Sequence, residues 1–281
     1  MQTLHFSQLP KPYSAYPKII RGLFNKKSKS AELPALEYVV DELRVDAQHL
    51  ADYKAVTGFA QNDTVPALYL AVLSQSLQMH MMSQAQFPFA VLGLVHIRNQ
   101  LTQYRAIQHN ETLQLSCCFG STAAHEKGTC FDFITNVKVG DETVMHSVTT
   151  YLARGRGQAA AEKLPHTEPD YHVKQQWQIE ENIGRRYARV SGDFNLIHLH
   201  ALSAKAFGFK RAIAHGMWSK ARVLAQLHLP ERYEVDVWFK LPILLPAVVD
   251  LCVAETADQT EFLVRDHQQH KPHLVGSLQA L

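Results

Sequence analysis

Apolar positions along this chain follow two periods. Alternation every second residue marks strand-like segments at 91–101, 112–120, 129–140 and 142–153. The same alternation returns at 233–241, 248–255, 260–266 and 273–281. Each set of four follows a helical pattern. Residues 66–82 are apolar almost all round, with Pro66 suited to a first helical turn. Residues 216–229 carry Met217, Ala221, Leu224, Ala225 and Leu227 on one stripe. Between the sets, 154–171 is rich in Gly, Ala, Pro and charge, and reads as a linker.

The two halves share more than a pattern. Tyr53, Val56, Thr57 and Gly58 recur as Tyr187, Val190, Ser191 and Gly192, each 134 residues on. Chemistry does not recur. Asp193 corresponds to Phe59 and His198 to Thr64, and the first half lacks a counterpart of residues 196–215.

Candidate chemistry therefore sits in the second half. Asp193, Asn195 and His198 lie within six consecutive residues. Asp and His are the side chains most easily set as base and acid near neutral pH. A spacing of five does not put them on one helical face. They converge only if the chain bends, which Ser191-Gly192 favours. A helix starting at Gly216 would present free backbone N–H groups to a developing oxyanion.

The run from Tyr187 to His198 (YARVSGDFNLIH), with Ala204 and 208–217 (GFKRAIAHGM) beyond it, closely resembles the signature of R-specific enoyl-CoA hydratases and MaoC-like dehydratases. Leu196 departs from it, since the family usually has Pro there, which implies a less rigid turn. The resemblance implies an α+β double hot-dog: two antiparallel sheets, each wrapping a central helix. It implies a basic N-terminal extension (1–34), a degenerate hot-dog without the motif (35–153), the linker, and a catalytic hot-dog (172–281). It also implies reversible syn hydration of trans-2-enoyl thioesters to (R)-3-hydroxyacyl thioesters. Asp193 and His198 would hold the water, with their roles unassigned. Asn195 would orient Asp193 or the water, Gly216 would meet the oxyanion, and Ser191 would bond Asp193 or shape the turn. His215 would shape the turn before the helix. Lys210 and Arg211 are the best-placed cations for the phosphates of coenzyme A or an acyl-carrier protein; Arg98, Arg105, Arg185 and Arg186 are others. The helix at 66–82, through Met79, Met81 and Met82, would be core or would line an acyl tunnel.

Composition narrows the classes. A net charge of +2 on 281 residues gives no electrostatic footprint for nucleic acid. The four cysteines form no CxxC pair and no disulfide framework, which predicts reduced thiols and a cytoplasmic protein. No transmembrane run or signal peptide is evident. His267, His270 and His273 read as a hairpin turn, not a metal site, and no metal or cofactor is expected. Nucleotide loops and a serine nucleophile elbow are absent. A non-catalytic acyl-thioester binder and a hot-dog thioesterase are the alternatives. The basic run at 18–29 would be a solvated extension or a contact for a carrier or membrane surface. The assembly would be a monomer or a homodimer of double hot-dogs.

Overall fold

The computed structural model describes residues 1–15, 17–19, 32–157, 169–256 and 258–281. The first half runs β1 (Gln2–Phe6), β2 (Leu36–Arg44), α1 (Ala47–Thr57), α2 (Ala67–Met82), β3 (Val95–Gln103), β4 (Thr112–His125), β5 (Gly128–Val139) and β6 (Glu142–Arg154). The second runs β7 (His172–Ile179), α3 (Ile183–Ser191), a 3-10 turn (Leu196–His198), α4 (Ala201–Lys205), α5 (Gly216–Leu224), β8 (Tyr233–Phe239), β9 (Ala247–Glu255), β10 (Gln259–Asp266) and β11 (Pro272–Ala280). All eight strands read from alternation are present. β1, β2 and β7 are additional.

The strand order makes the repeat visible. From the centre, the first half reads β3-β6-β5-β4-β2 and the second β8-β11-β10-β9-β7. α1 and α3 correspond as well. Both end on a left-handed glycine, Gly58 at φ 89° and Gly192 at φ 74°. That conformation suits glycine, which has no Cβ to clash. The repeated tyrosines Tyr53 and Tyr187 face each other with ring centroids 6.4 Å apart.

The two sheets of the double hot-dog are one continuous surface. β3 and β8 pair antiparallel, from Arg98 opposite Trp238 to Gln103 opposite Tyr233, giving 11 strands in a single sheet among the described residues. Each half alone would leave an edge of unpaired N–H and C=O groups, and the pairing removes both edges. Arg98 reinforces the seam by donating to the Asp236 carboxylate, Nη2–Oδ2 2.7 Å, Nε–Oδ1 2.9 Å and Nε–Oδ2 3.3 Å, and lies over Trp238. Beneath the seam, Lys220 of α5 is fully buried and donates to the Asn99 carbonyl and Oδ1, at 3.0 and 2.6 Å. Trp218 Nε1 donates to the Val56 carbonyl across the halves at 2.9 Å.

The N-terminus differs from a free extension. β1 pairs in parallel with β2, so the sheet is mixed. The Pro10 carbonyl accepts from Ser76 of α2 at 2.7 Å, and Pro12 packs against Gly192. Most of the basic run, 20–31, lies outside the described residues, as does 158–168 of the linker.

α2 is buried nearly all round, as a core helix should be. Met81 and Met82 are in the core and Met79 packs against it. The cysteines are free, with Cys117, Cys130 and Cys252 buried. Among the described residues, no helix is long and apolar enough to cross a membrane. His267 and His270 lie at the β10–β11 turn, where His267 Nδ1 bonds Asp250 Oδ1 at 3.0 Å, and His273 Nδ1 donates to the Leu241 carbonyl at 3.1 Å.

Candidate active site

The bend predicted between Asp193 and His198 is built in three steps. α3 stops at Gly192, whose N–H bonds back to the Ala188 carbonyl at 2.9 Å. The Asp193 N–H then donates to Ser191 Oγ at 3.2 Å, so Ser191 shapes the turn. The Asn195 N–H donates to Asp193 Oδ1 at 3.1 Å, while the Asn195 side chain accepts from the Ile197 N–H and opens the 3-10 turn. Asn195 thus orients Asp193 through its backbone. Leu196 is 51% exposed, and the turn forms without a proline there.

His198 is fixed on both sides. Its Nδ1 lies 2.8 Å from the Ile213 carbonyl, which only accepts, so Nδ1 carries the hydrogen and Nε2 keeps its lone pair. Its backbone is clamped by Gly184, where a Cβ would sit 2.0 Å from the His198 carbonyl oxygen.

His215 enters the cluster more closely than a turn-former must. Its ring stacks on His198 with centroids 3.7 Å apart. Its Nε2–H donates to the Asp193 backbone carbonyl at 3.0 Å and stands 3.9 Å from Oδ2. Nδ1 is buried without a partner among the described residues. One carboxylate oxygen and one nitrogen of each ring lie within 4.8 Å of one another. These atom types can hold a water or a cation: the Asp193 carboxylate, His198 Nε2 and His215 Nδ1 all offer lone pairs.

Burial governs the charges. It pushes His215 down to about 3 and His198 below its ordinary value, so both rings are neutral near pH 7. Burial alone would raise Asp193. Attraction to His215 and His198 whenever either is protonated, with the Asn195 N–H and the Gln75 amide, outweighs it and holds the carboxyl below its usual range. α5 begins at Gly216, directly after His215, and its first N–H groups have no intrahelical acceptor. A Cβ on Gly216 would sit 2.9 Å from the Phe239 ring.

Several neighbours were not read from the sequence. Gln75 Nε2 of α2 donates to Asp193 Oδ2 at 3.1 Å. His96 of β3 contacts Tyr151 and Phe239, at 5.1 and 4.8 Å between centroids. Burial and nearby Lys220 push His96 down to about 3. Polar residues inside the otherwise apolar helix 67–82 were the available signal for Gln75. The cations fare unevenly. Arg98 is taken up by Asp236, Arg105 by Glu111 and Glu142, Arg186 by Glu180, and Arg185 bonds the Leu199 carbonyl. Lys210 and Arg211 are exposed. Arg211 also donates to the Pro246 carbonyl at 3.2 Å and lines a surface cavity of about 460 Å³ with His267, Lys271 and His273.

Comparison with known proteins gives the family. The MaoC-like domain family matches residues 156–229, the stretch that holds all three clustered side chains. The 3-hydroxyacyl-thioester dehydratase X of Mycobacterium tuberculosis is 34% identical over 261 residues, covering 90% of this chain and 92% of that one. A crystal structure of HtdX from the same organism superposes with a TM-score of 0.77, covering 87% of this chain and 100% of that one at 34% identity. A MaoC-like dehydratase from Phytophthora capsici (TM-score 0.70, 17% identity, 92% and 98% covered) shares the fold. So does a Mycobacterium tuberculosis protein with a double hot-dog fold (TM-score 0.57, 11% identity, 92% and 97% covered). On its likeness to the thioester dehydratase along nearly the whole chain, the protein belongs to the MaoC-like dehydratase family.

Proposed function

We propose that the protein catalyses reversible syn hydration of a trans-2-enoyl thioester to an (R)-3-hydroxyacyl thioester. The observation that carries this is the convergence of Asp193 and His198 at the start of α5.

Both groups rest as proton acceptors: Asp193 ionised, His198 neutral with a free Nε2. A water between them donates one hydrogen to each and keeps a lone pair for C3. As the C3–O bond forms, the C2=C3 electrons move toward the thioester oxygen. The Gly216 N–H meets that charge, and one such donor is worth on the order of a hundredfold or more in rate. Neither side chain starts with a proton to give, so the proton that reaches C2 is the water's own. His198, the group nearer to neutral pH, takes it and returns it on the same face, which makes the addition syn. Asp193 orients the water. Dehydration is the reverse. His215 braces the Asp193 backbone and moves no proton.

Lys210 and Arg211 supply positive charge for the phosphates of an acyl-CoA or acyl-carrier protein. The first half, which lacks the Asp/His pair, receives the acyl chain.

Hydration of crotonyl-CoA and longer enoyl-CoA esters tests the reading, followed as loss of enoyl absorbance beside Asp193→Asn and His198→Ala. Folded variants should lose on the order of a hundredfold or more, and the product should be R. Release of free thiol would make the protein a thioesterase. No reaction on CoA or carrier thioesters would make it a binding protein.

A further inference from the structure

We propose that Gln75, from the half that carries no Asp/His pair, is a positioning residue for the reaction of the other half, fixing the Asp193 carboxylate toward the reacting water. The inference rests on the hydratase reading above.

The last torsion of an aspartate is soft, so one hydrogen bond leaves the carboxylate plane free to swing. Here each oxygen has its own donor. The Asn195 N–H, two residues away, takes Oδ1 at 3.1 Å. The Gln75 amide, 118 residues away, takes Oδ2 at 3.1 Å. Two donors from separate elements fix the plane.

Gln75 is itself held on a rigid helix. Ser74 Oγ accepts from Thr135 and from Gln78 Nε2, at 3.1 and 3.2 Å, and Tyr151 OH donates to Gln78 Oε1 at 3.2 Å. On the next position, Ser76 anchors the N-terminal arm at Pro10. A buried polar row this well satisfied is a stiff mount. Gln75 is the member that points out of the row to Asp193. The degenerate half therefore completes the site with a donor, and not with surface alone.

The test is Gln75→Leu and Gln75→Glu in the full chain, with circular dichroism to verify folding. Two readouts are taken. One is kcat and KM for enoyl-thioester hydration. The other is the titration of Asp193 by carbon-13 NMR of labelled aspartate, its resonance assigned with Asp193→Asn. Loss of one hydrogen bond to a charged group predicts that Gln75→Leu lowers kcat about ten- to a hundredfold, with KM within about threefold. The Asp193 midpoint should rise. Gln75→Glu should be weak at neutral pH, where two carboxylates face each other, and its deficit relative to wild type should narrow toward acid, where the glutamic acid can donate. An unchanged midpoint, an unchanged kcat, or a change confined to KM in folded Gln75→Leu overturns the proposal. A wild type without hydratase activity overturns the reading of the site instead, while the Asp193 midpoint still reports the contact, so the two failures are separable.

Discussion

His215 and Asp193 are joined through the backbone: the imidazole Nε2–H bonds the Asp193 carbonyl at 3.0 Å, while its ring lies flat on His198 at 3.7 Å. One side chain thus sets the spacing between the two residues that would hold water. His215→Ala is expected to lower kcat at least tenfold and to lower thermal stability, since it opens a buried cavity and frees a carbonyl. Kinetics with a melting curve check this. Full activity in a stable variant would remove His215 from the site.

Acid should weaken both activity and stability. Folding depresses the pKa of His198, and that of His215 to about 3, against an ordinary 6.5. The unfolded chain binds those protons first, so stability present above about pH 6.5 falls progressively toward pH 3. Activity should disappear as pH falls through the depressed His198 value. A kcat/KM profile with a limb at or above 6.5 would contradict the buried, neutral His198.

Lys220 should show the opposite end of the pH scale. Burial lowers it from 10.5 to about 7. Between those values the unfolded chain holds a proton that the folded chain does not, so Lys220 adds stability from pH 7 to pH 10, against the four cysteines, whose raised values act the other way. The melting temperature of the wild type relative to Lys220→Met should therefore climb across that range. A constant difference would mean that Lys220 stays charged inside.

Gly184 tests the clamp at a distance from the chemistry. Gly184→Ala places a methyl group 2.0 Å from the His198 carbonyl. Overpacking of this kind costs about 1–3 kcal/mol, and the displaced 3-10 turn should lower kcat more than it raises KM. A variant of native activity and stability would show that the backbone yields there.

Tyr53 and Tyr187 bury hydroxyls that have no partner among the described residues. Tyr53→Phe is expected to leave the melting temperature unchanged or raise it, because removing an unsatisfied buried group relieves its desolvation. A clear drop would reveal a bonding role for the hydroxyl.

The eight central strands, the helices after Pro66 and Gly216 and the 134-residue repeat were legible because period and punctuation are local, and strands with one buried face alternate. α1 and α3 were not: Ser191-Gly192 reads as a turn, and only the structure shows Gly58 and Gly192 each closing a helix. β1 was not legible: QTLHF is almost wholly exposed and is a strand only because β2 offers it an edge. The Asp193-Asn195-His198 motif was legible for a similar reason, since its bend is made by neighbours in sequence.

What the tertiary structure decided is everything that joins distant segments. The pairing of Arg98 with Trp238 that merges two sheets, the burial of Lys220 under Asn99, and the stacking of His215 on His198 leave no local signature. Gln75 is the sharpest case. Alone it is a polar residue on an apolar helix. It gains a role only when folding carries it across 118 residues to Asp193, because a hydrogen bond depends on distance in space and not along the chain.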